Sequence, residues 1–170
     1  MKNRKATTAI ILLLATLSAG CNNWRGFGFR ASGPEMARLK QVLALKPGMS
    51  VADVGAGKGE LTLALAAEVR PSGHVFSTEI DPESLEQIRA AVAEAKLDNV
   101  TVVQAQGRDT GLPANCCDAI LLRRVYHHLT APADTDASLL RAVRPGGVLA
   151  VIDFAPTLSW LWPWPPKDVP

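Results

Sequence analysis

The chain has 170 residues, with 18 Lys and Arg against 16 Asp and Glu and a formal net charge of +2. That length suits a single domain, and an apolar share of 48% supplies a core and excludes an intrinsically disordered chain. Three of the basic residues, Lys2, Arg4 and Lys5, gather at the very N-terminus, so the remainder has no charge excess and no case for a nucleic-acid partner, which needs a basic face.

After that positive head, Ala6 to Leu17 is an uncharged, mostly apolar run. It is short for a membrane span and right for the apolar region of an export signal. Leu17-Ser18-Ala19-Gly20-Cys21 follows and resembles the lipobox of bacterial lipoproteins, with Ser18 where Leu is commoner. The resemblance implies a signal over residues 1–21, lipidation and membrane attachment at Cys21, and a periplasmic or outer-surface location. A true start further downstream would instead leave the protein in the cytoplasm. Residues 22–33 read as a linker.

A domain is expected over 34–154. Met36, Leu39, Val42 and Leu43 stand at helical spacing, and Lys46-Pro47-Gly48 ends that helix. Ser50 to Val54 is a short apolar strand, Glu60 to Val69 a helix, and His74 to Glu79 a second strand. Asp81 caps the next helix with Pro82 in its first turn, and Leu85, Ile88, Val92 and Ala95 form its buried stripe. Val100 to Gln104 and Asp118 to Leu122 are further strands. Leu139, Leu140 and Val143 belong to a helix that stops at Arg144-Pro145-Gly146-Gly147, before a last strand from Val148 to Phe154. Continuous apolar strands alternating with helices predict a doubly wound, Rossmann-like α/β fold with a mostly parallel sheet. The adjacent Cys116 and Cys117 suit neither an ordinary disulfide nor a zinc site; they read as small residues at the start of a buried strand.

The first of the core strands runs into Asp53-Val54-Gly55-Ala56-Gly57-Lys58-Gly59. A glycine-rich turn from strand to helix lets backbone approach a ligand closely. The dinucleotide fingerprint fails, because its third glycine would fall on Glu60, and no Gly-Lys-Ser/Thr phosphate loop occurs. An acidic residue ahead of the glycines favours a cationic ligand over a pyrophosphate. Here the sequence resembles the class I S-adenosylmethionine-dependent methyltransferases, whose first motif is an acidic residue followed by Gly-x-Gly-x-Gly. The resemblance implies S-adenosylmethionine as cofactor, with Asp53 bearing on its methionine moiety directly or through the loop, and Gly55, Gly57 and Gly59 passing beneath it.

Glu79, at the end of the second core strand, fits the family's acidic residue for the ribose hydroxyls. In Gln106-Gly107-Arg108-Asp109-Thr110-Gly111-Leu112-Pro113 the family often has Gly-Asp-Ala and then Leu-Pro, with Asp at the adenine. Arg108 stands at that place and Asp109 one residue on, so Asp109 is the adenine candidate or a local turn residue. Arg144-Pro145-Gly146-Gly147 resembles the family's structural turn.

Ligands of open α/β sheets lie outside the carboxyl ends of the strands, so the stretch from Leu122 to Leu129 faces the methyl donor. His127 or His128 could take a proton from a substrate and Tyr126 could position it; packing is the alternative role for all three. Asp153 is a substrate contact or a strand-end cap. No metal is expected. The absence of an Asn/Asp-Pro-Pro-aromatic motif argues against nucleic-acid amino methylation and leaves a small-molecule or lipid-like acceptor. The family's last two strands of seven have no counterpart here, because residues 155–170 form a Trp- and Pro-rich tail unfit for ladder strands. The last strand is therefore expected to be an open edge or to lie under that tail. A non-catalytic, membrane-anchored lipoprotein of degenerate methyltransferase fold is the second reading.

Overall fold

The computed structural model describes residues 9–15 and 33–154. Among these, six parallel strands form one sheet in the order β1-β6-β5-β2-β3-β4. In chain order they are β1 (Ala9–Ala15), α1 (Gly33–Val42), β2 (Ser50–Val54), α2 (Glu60–Val69), β3 (His74–Glu79), α3 (Pro82–Glu94), β4 (Val100–Gln104), β5 (Cys117–Arg123), α4 (Pro132–Ala142) and β6 (Val143–Phe154). The expected doubly wound, mostly parallel α/β fold is the one observed. The linker, Cys21 and the Trp/Pro tail lie outside the described residues.

The central strands are apolar on both faces because both faces are covered. Leu39 and Leu43 from the first helical segment and Leu65 and Val69 from α2 pack on Val51, Ala119, Leu121 and Ala150. On the opposite face Leu139 and Ala142 of α4 pack on Ala52, Ile120, Leu122 and Leu149. Asp81 caps α3 as expected, its Oδ2 accepting from the Ser84 N–H at 2.9 Å with Pro82 in the first turn. The Ser84 hydroxyl donates to the same oxygen at 2.7 Å, and it and the N–H hold the Asp81 carboxyl below its ordinary range.

Three expectations are corrected. The helix before β6 ends at Ala142, and Val143 already opens the strand, opposite Cys117 across an irregular register. The residue before a proline favours extended backbone, so Arg144-Pro145 continues the strand that begins at Val143. The β6 edge is neither open nor left to the tail: β1 lies parallel to it, from Ala9 opposite Val148 to Ala15 opposite Phe154. A short apolar run satisfies a sheet edge as readily as it enters a membrane, and periodicity does not separate the two. Finally, Cys116 and Cys117 form a disulfide between neighbours, although both sit buried at the start of β5 as expected.

The sheet reverses its winding between β2 and β5. From β2 the chain proceeds through β3 to β4 on one side, and β5 and β6 lie on the other. Loops leaving the carboxyl ends of β2 and β5 diverge there and leave a crevice. Leu121 is fully buried at the centre of this arrangement. Leu121→Ala is expected to lower stability by about 2–5 kcal/mol, read as a fall in the urea midpoint with an unchanged slope.

Candidate active site

The crevice is a cleft of about 410 Å³ over the carboxyl ends of β2, β3, β4 and β5. Gly55 forms part of its wall and has φ of +70°, and a Cβ there would collide with Val125 from the loop after β5. Only glycine fits a position that is both left-handed and in contact with a neighbouring side chain. Gly57, at φ of +57°, has the opposite surroundings, with nothing within 4 Å of an added Cβ. Gly59 is the N-cap of α2, which starts without a side-chain cap. A helix start of that kind offers N–H groups and partial positive charge to an anion.

Glu79 fixes the loop. Its Oε2 accepts from the Gly57 N–H at 2.8 Å, and its Oε1 from the Ile80 N–H at 2.8 Å and the Asp81 N–H at 3.3 Å. The N–H groups of Gly55 and Ala56 donate to the Thr78 carbonyl at 2.9 and 3.0 Å. The turn after β2 is thus sewn to the end of β3. A carboxylate offers about four acceptor positions, so Glu79 retains capacity for a hydroxyl in the cleft. Thr78 also reaches the cleft, and its Oγ1 is buried without a hydrogen-bond partner. A buried polar atom in that condition calls for a ligand or a water.

Asp53 lies beneath the loop, not in the cleft, and only 2% of it is exposed. Its Oδ2 accepts from the Thr62 hydroxyl at 2.7 Å, and Thr62 in turn shares a hydrogen bond with Ser77 at 2.8 Å. Burial pushes the Asp53 carboxyl up to about 6, against the opposing pull of the Thr62 hydrogen bond and the Arg123 charge.

Asp109 lines the cleft, but its carboxylate is engaged elsewhere. It accepts from the Gly111 N–H at 2.8 Å, from the Ser138 hydroxyl at 3.1 Å and from the Arg141 guanidinium at 3.1 Å. The Gly111 hydrogen bond, followed by Arg141, holds this carboxyl below its ordinary range. Arg108, one residue before, points into solvent and pairs with Asp134 at 3.4 Å.

The three candidates after β5 separate. Tyr126 donates its hydroxyl to Asp136 at 3.0 Å and does not line the cleft. Burial, then the neighbouring Asp136, raises its phenol above the ordinary value. His128 lines the cleft. His127 stands beside it, ring centroids 3.9 Å apart, with its Nδ1 at 2.7 Å from Asp153 Oδ1. Burial raises the Asp153 carboxyl, but hydrogen bonds from the His127 ring and from the Phe154 and His127 N–H groups outweigh it and leave the carboxyl below its ordinary range.

Sequence reasoning passed over Ile80, Thr78 and Arg124. Ile80 is 60% exposed at the rim, and a large apolar residue in the polar turn Glu79-Ile80-Asp81-Pro82 was the available signal. Arg124 adopts φ of +59° where β5 gives way to the loop. A left-handed non-glycine residue is uncommon and clusters at functional sites.

Residues 45–164 match the methyltransferase domain family. The chain belongs to that family. A ubiquinone/menaquinone biosynthesis C-methyltransferase UbiE from Ectopseudomonas mendocina is 30% identical over 85% of this chain and 53% of its own length. A protein-L-isoaspartate O-methyltransferase from Methanothrix thermoacetophila is 32% identical over 74% of this chain and 58% of its own length. The chain spans about half the length of the curated relatives it matches. Among solved structures, a SAM dependent methyltransferase from Aquifex aeolicus is similar with a TM-score of 0.69 and 29% identity, covering 83% of this chain and 71% of that one. The methyltransferase fold thus places the glycine turn, Glu79 and the β5 loop around one cleft.

The raised Asp53 carboxyl has a defined consequence for stability. Its folded value near 6 exceeds the ordinary 3.8, so its contribution is complete below 3.8 and is lost as pH rises through 6. Asp53→Asn removes that loss while keeping an acceptor for Thr62. The variant is expected to melt higher than the parent at pH 8, with the gap closing below pH 4 in a thermal-melt series.

Proposed function

We propose that the protein transfers the methyl group of S-adenosylmethionine to a small, lipid-like acceptor. The observation that carries this reading is the grip of Glu79 on the Gly57 N–H at 2.8 Å, at the edge of a cleft, with open space over Gly57. S-adenosylmethionine is the cofactor. It supplies an electrophilic methyl on a sulfonium, and sulfur keeps the bonding pair when that methyl leaves.

The residues present fit that group. Gly55 brings backbone to the cleft wall without a side chain. Glu79 is placed to accept a ribose hydroxyl, and Ile80 offers an apolar face to a purine. Asp53 acts through the loop it underlies. Asp109 shapes the adenine end of the cleft through its hold on Gly111 and Arg141. Methyl transfer depends on alignment of nucleophile and methyl more than on covalent help from the protein, and the walls after β5 supply that alignment. The acceptor class draws on the Ectopseudomonas relative, whose name places it in quinone biosynthesis.

Incubating the full chain with methyl-tritiated S-adenosylmethionine and a short-chain demethylated hydroquinone should give label extractable into organic solvent. Label on an isoaspartyl peptide instead would move the acceptor to the class named for the Methanothrix relative. Label on neither would count against both acceptors.

A further inference from the structure

We infer that the apolar run Ala9–Ala15 has two mutually exclusive uses, as the strand that closes β6 in the folded protein and as the centre of an export leader, and that folding withholds it from export. This goes beyond the methyl-transfer reading and stands without it.

The same residues meet both requirements. Lys2, Arg4 and Lys5, followed by the uncharged run from Ala6 to Leu17, have the pattern of a leader, with Cys21 where the cut falls in the lipobox resemblance. Yet β1 lies parallel to β6 in unbroken register, from Ala9 opposite Val148 to Ala15 opposite Phe154. All seven residues of the strand precede Cys21, so a cut there removes the whole of β1. A segment whose backbone is paired in a sheet is not available as a free chain to an export machinery.

The register shows what the strand holds. Alternate residues of a strand turn their backbone groups to opposite neighbours. The Ile152 carbonyl accepts from the Arg124 N–H at 2.7 Å, so Ile152 faces β5, and Leu149, Val151 and Asp153 face β1. In a parallel pair each residue bonds to the two that flank its opposite number. Val151, opposite Leu12, is therefore served by Ile11 and Leu13, and Asp153, opposite Leu14, by Leu13 and Ala15. The Leu12 N–H points away from β6. Without β1 the backbone groups of Leu149, Val151 and Asp153 lose their partners, although the Leu149 and Val151 side chains belong to the core. Unpaired backbone groups cost free energy, and a bare apolar edge invites pairing with other chains. The loss also reaches the cleft. Ile152 lies between Val151 and Asp153 and holds the Arg124 N–H, and Arg124 and Val125 line the cleft. The folded protein keeps its leader because the β6 edge and the cleft wall beyond it depend on that strand.

Two measurements test the two uses. In amide hydrogen exchange of the full chain, read by NMR, the Val151 and Asp153 N–H groups should be protected. Leu13→Pro removes the N–H that donates to the Val151 carbonyl and should speed exchange at both by about tenfold or more. Leu12→Pro, whose lost N–H faces outward, should leave them protected. For the leader, the full chain is expressed in a Gram-negative host and its intact mass is measured. The parent should be recovered with the residues up to Gly20 in place. Leu121→Ala leaves the leader untouched but weakens the fold, and should raise the share cut before Cys21 several-fold. Fast exchange at Val151 and Asp153 in the parent, equal exchange in the two proline variants, or a parent cut in full would overturn the strand. A Leu121→Ala chain as uncut as the parent would overturn the leader, and with it the exclusive choice.

Discussion

The turn out of β2 has no freedom. Gly55 touches Val125, so the strand must bend at once and with a positive φ, and Glu79 then catches the Gly57 N–H before the chain enters α2. These two constraints join the carboxyl ends of β2, β3 and β5 into one rim. The glycine turn, Glu79 and Ile80 hang from that rim, and the crevice exists because β5 and β3 lie on opposite sides of β2. A longer residue at Gly55 would displace the β5 loop as well as the glycine turn, so the donor and acceptor sides of the cleft share one mechanical hinge.

Beneath the rim lies a buried acid that costs stability at neutral pH. Asp53, Thr62 and Ser77 form a short polar chain between β2, α2 and β3, inside a layer otherwise filled by leucine and valine. A protein concerned with stability alone would place an apolar residue there. Retaining a carboxyl whose value burial pushes up to about 6 places negative potential directly under a loop suited to a cationic donor. The strained φ of Arg124 has the same character. Arg124 lines the cleft and Asp53 lies directly beneath the glycine turn that borders it.

What was legible in the sequence was local. The glycines, the strand-ending Glu79 and the Asp81-Pro82 cap each follow from backbone rules that span a few residues, and the apolar runs of β2 and β5 declare a doubly covered sheet. What was not legible depends on distant register. Asp109 is drawn to Arg141 and Ser138 on α4, and Asp153 meets His127 only because β5 and β6 align as they do. Val143 stands at helical spacing from Leu139, yet pairing with Cys117 makes it the first residue of β6. The apolar length of Ala9–Ala15 carries no information on what the run packs against. In the structure it covers β6.

The most direct test of the account is a calorimetric titration of S-adenosylmethionine into the full chain, with Glu79→Ala as the comparison. Charged hydrogen bonds of this kind contribute about 1.5–3 kcal/mol each. The account predicts one saturable site in the parent and an affinity lower by about 10- to 100-fold in the variant, with both proteins folded by circular dichroism. Equal binding by the two, or none by the folded parent, would contradict it.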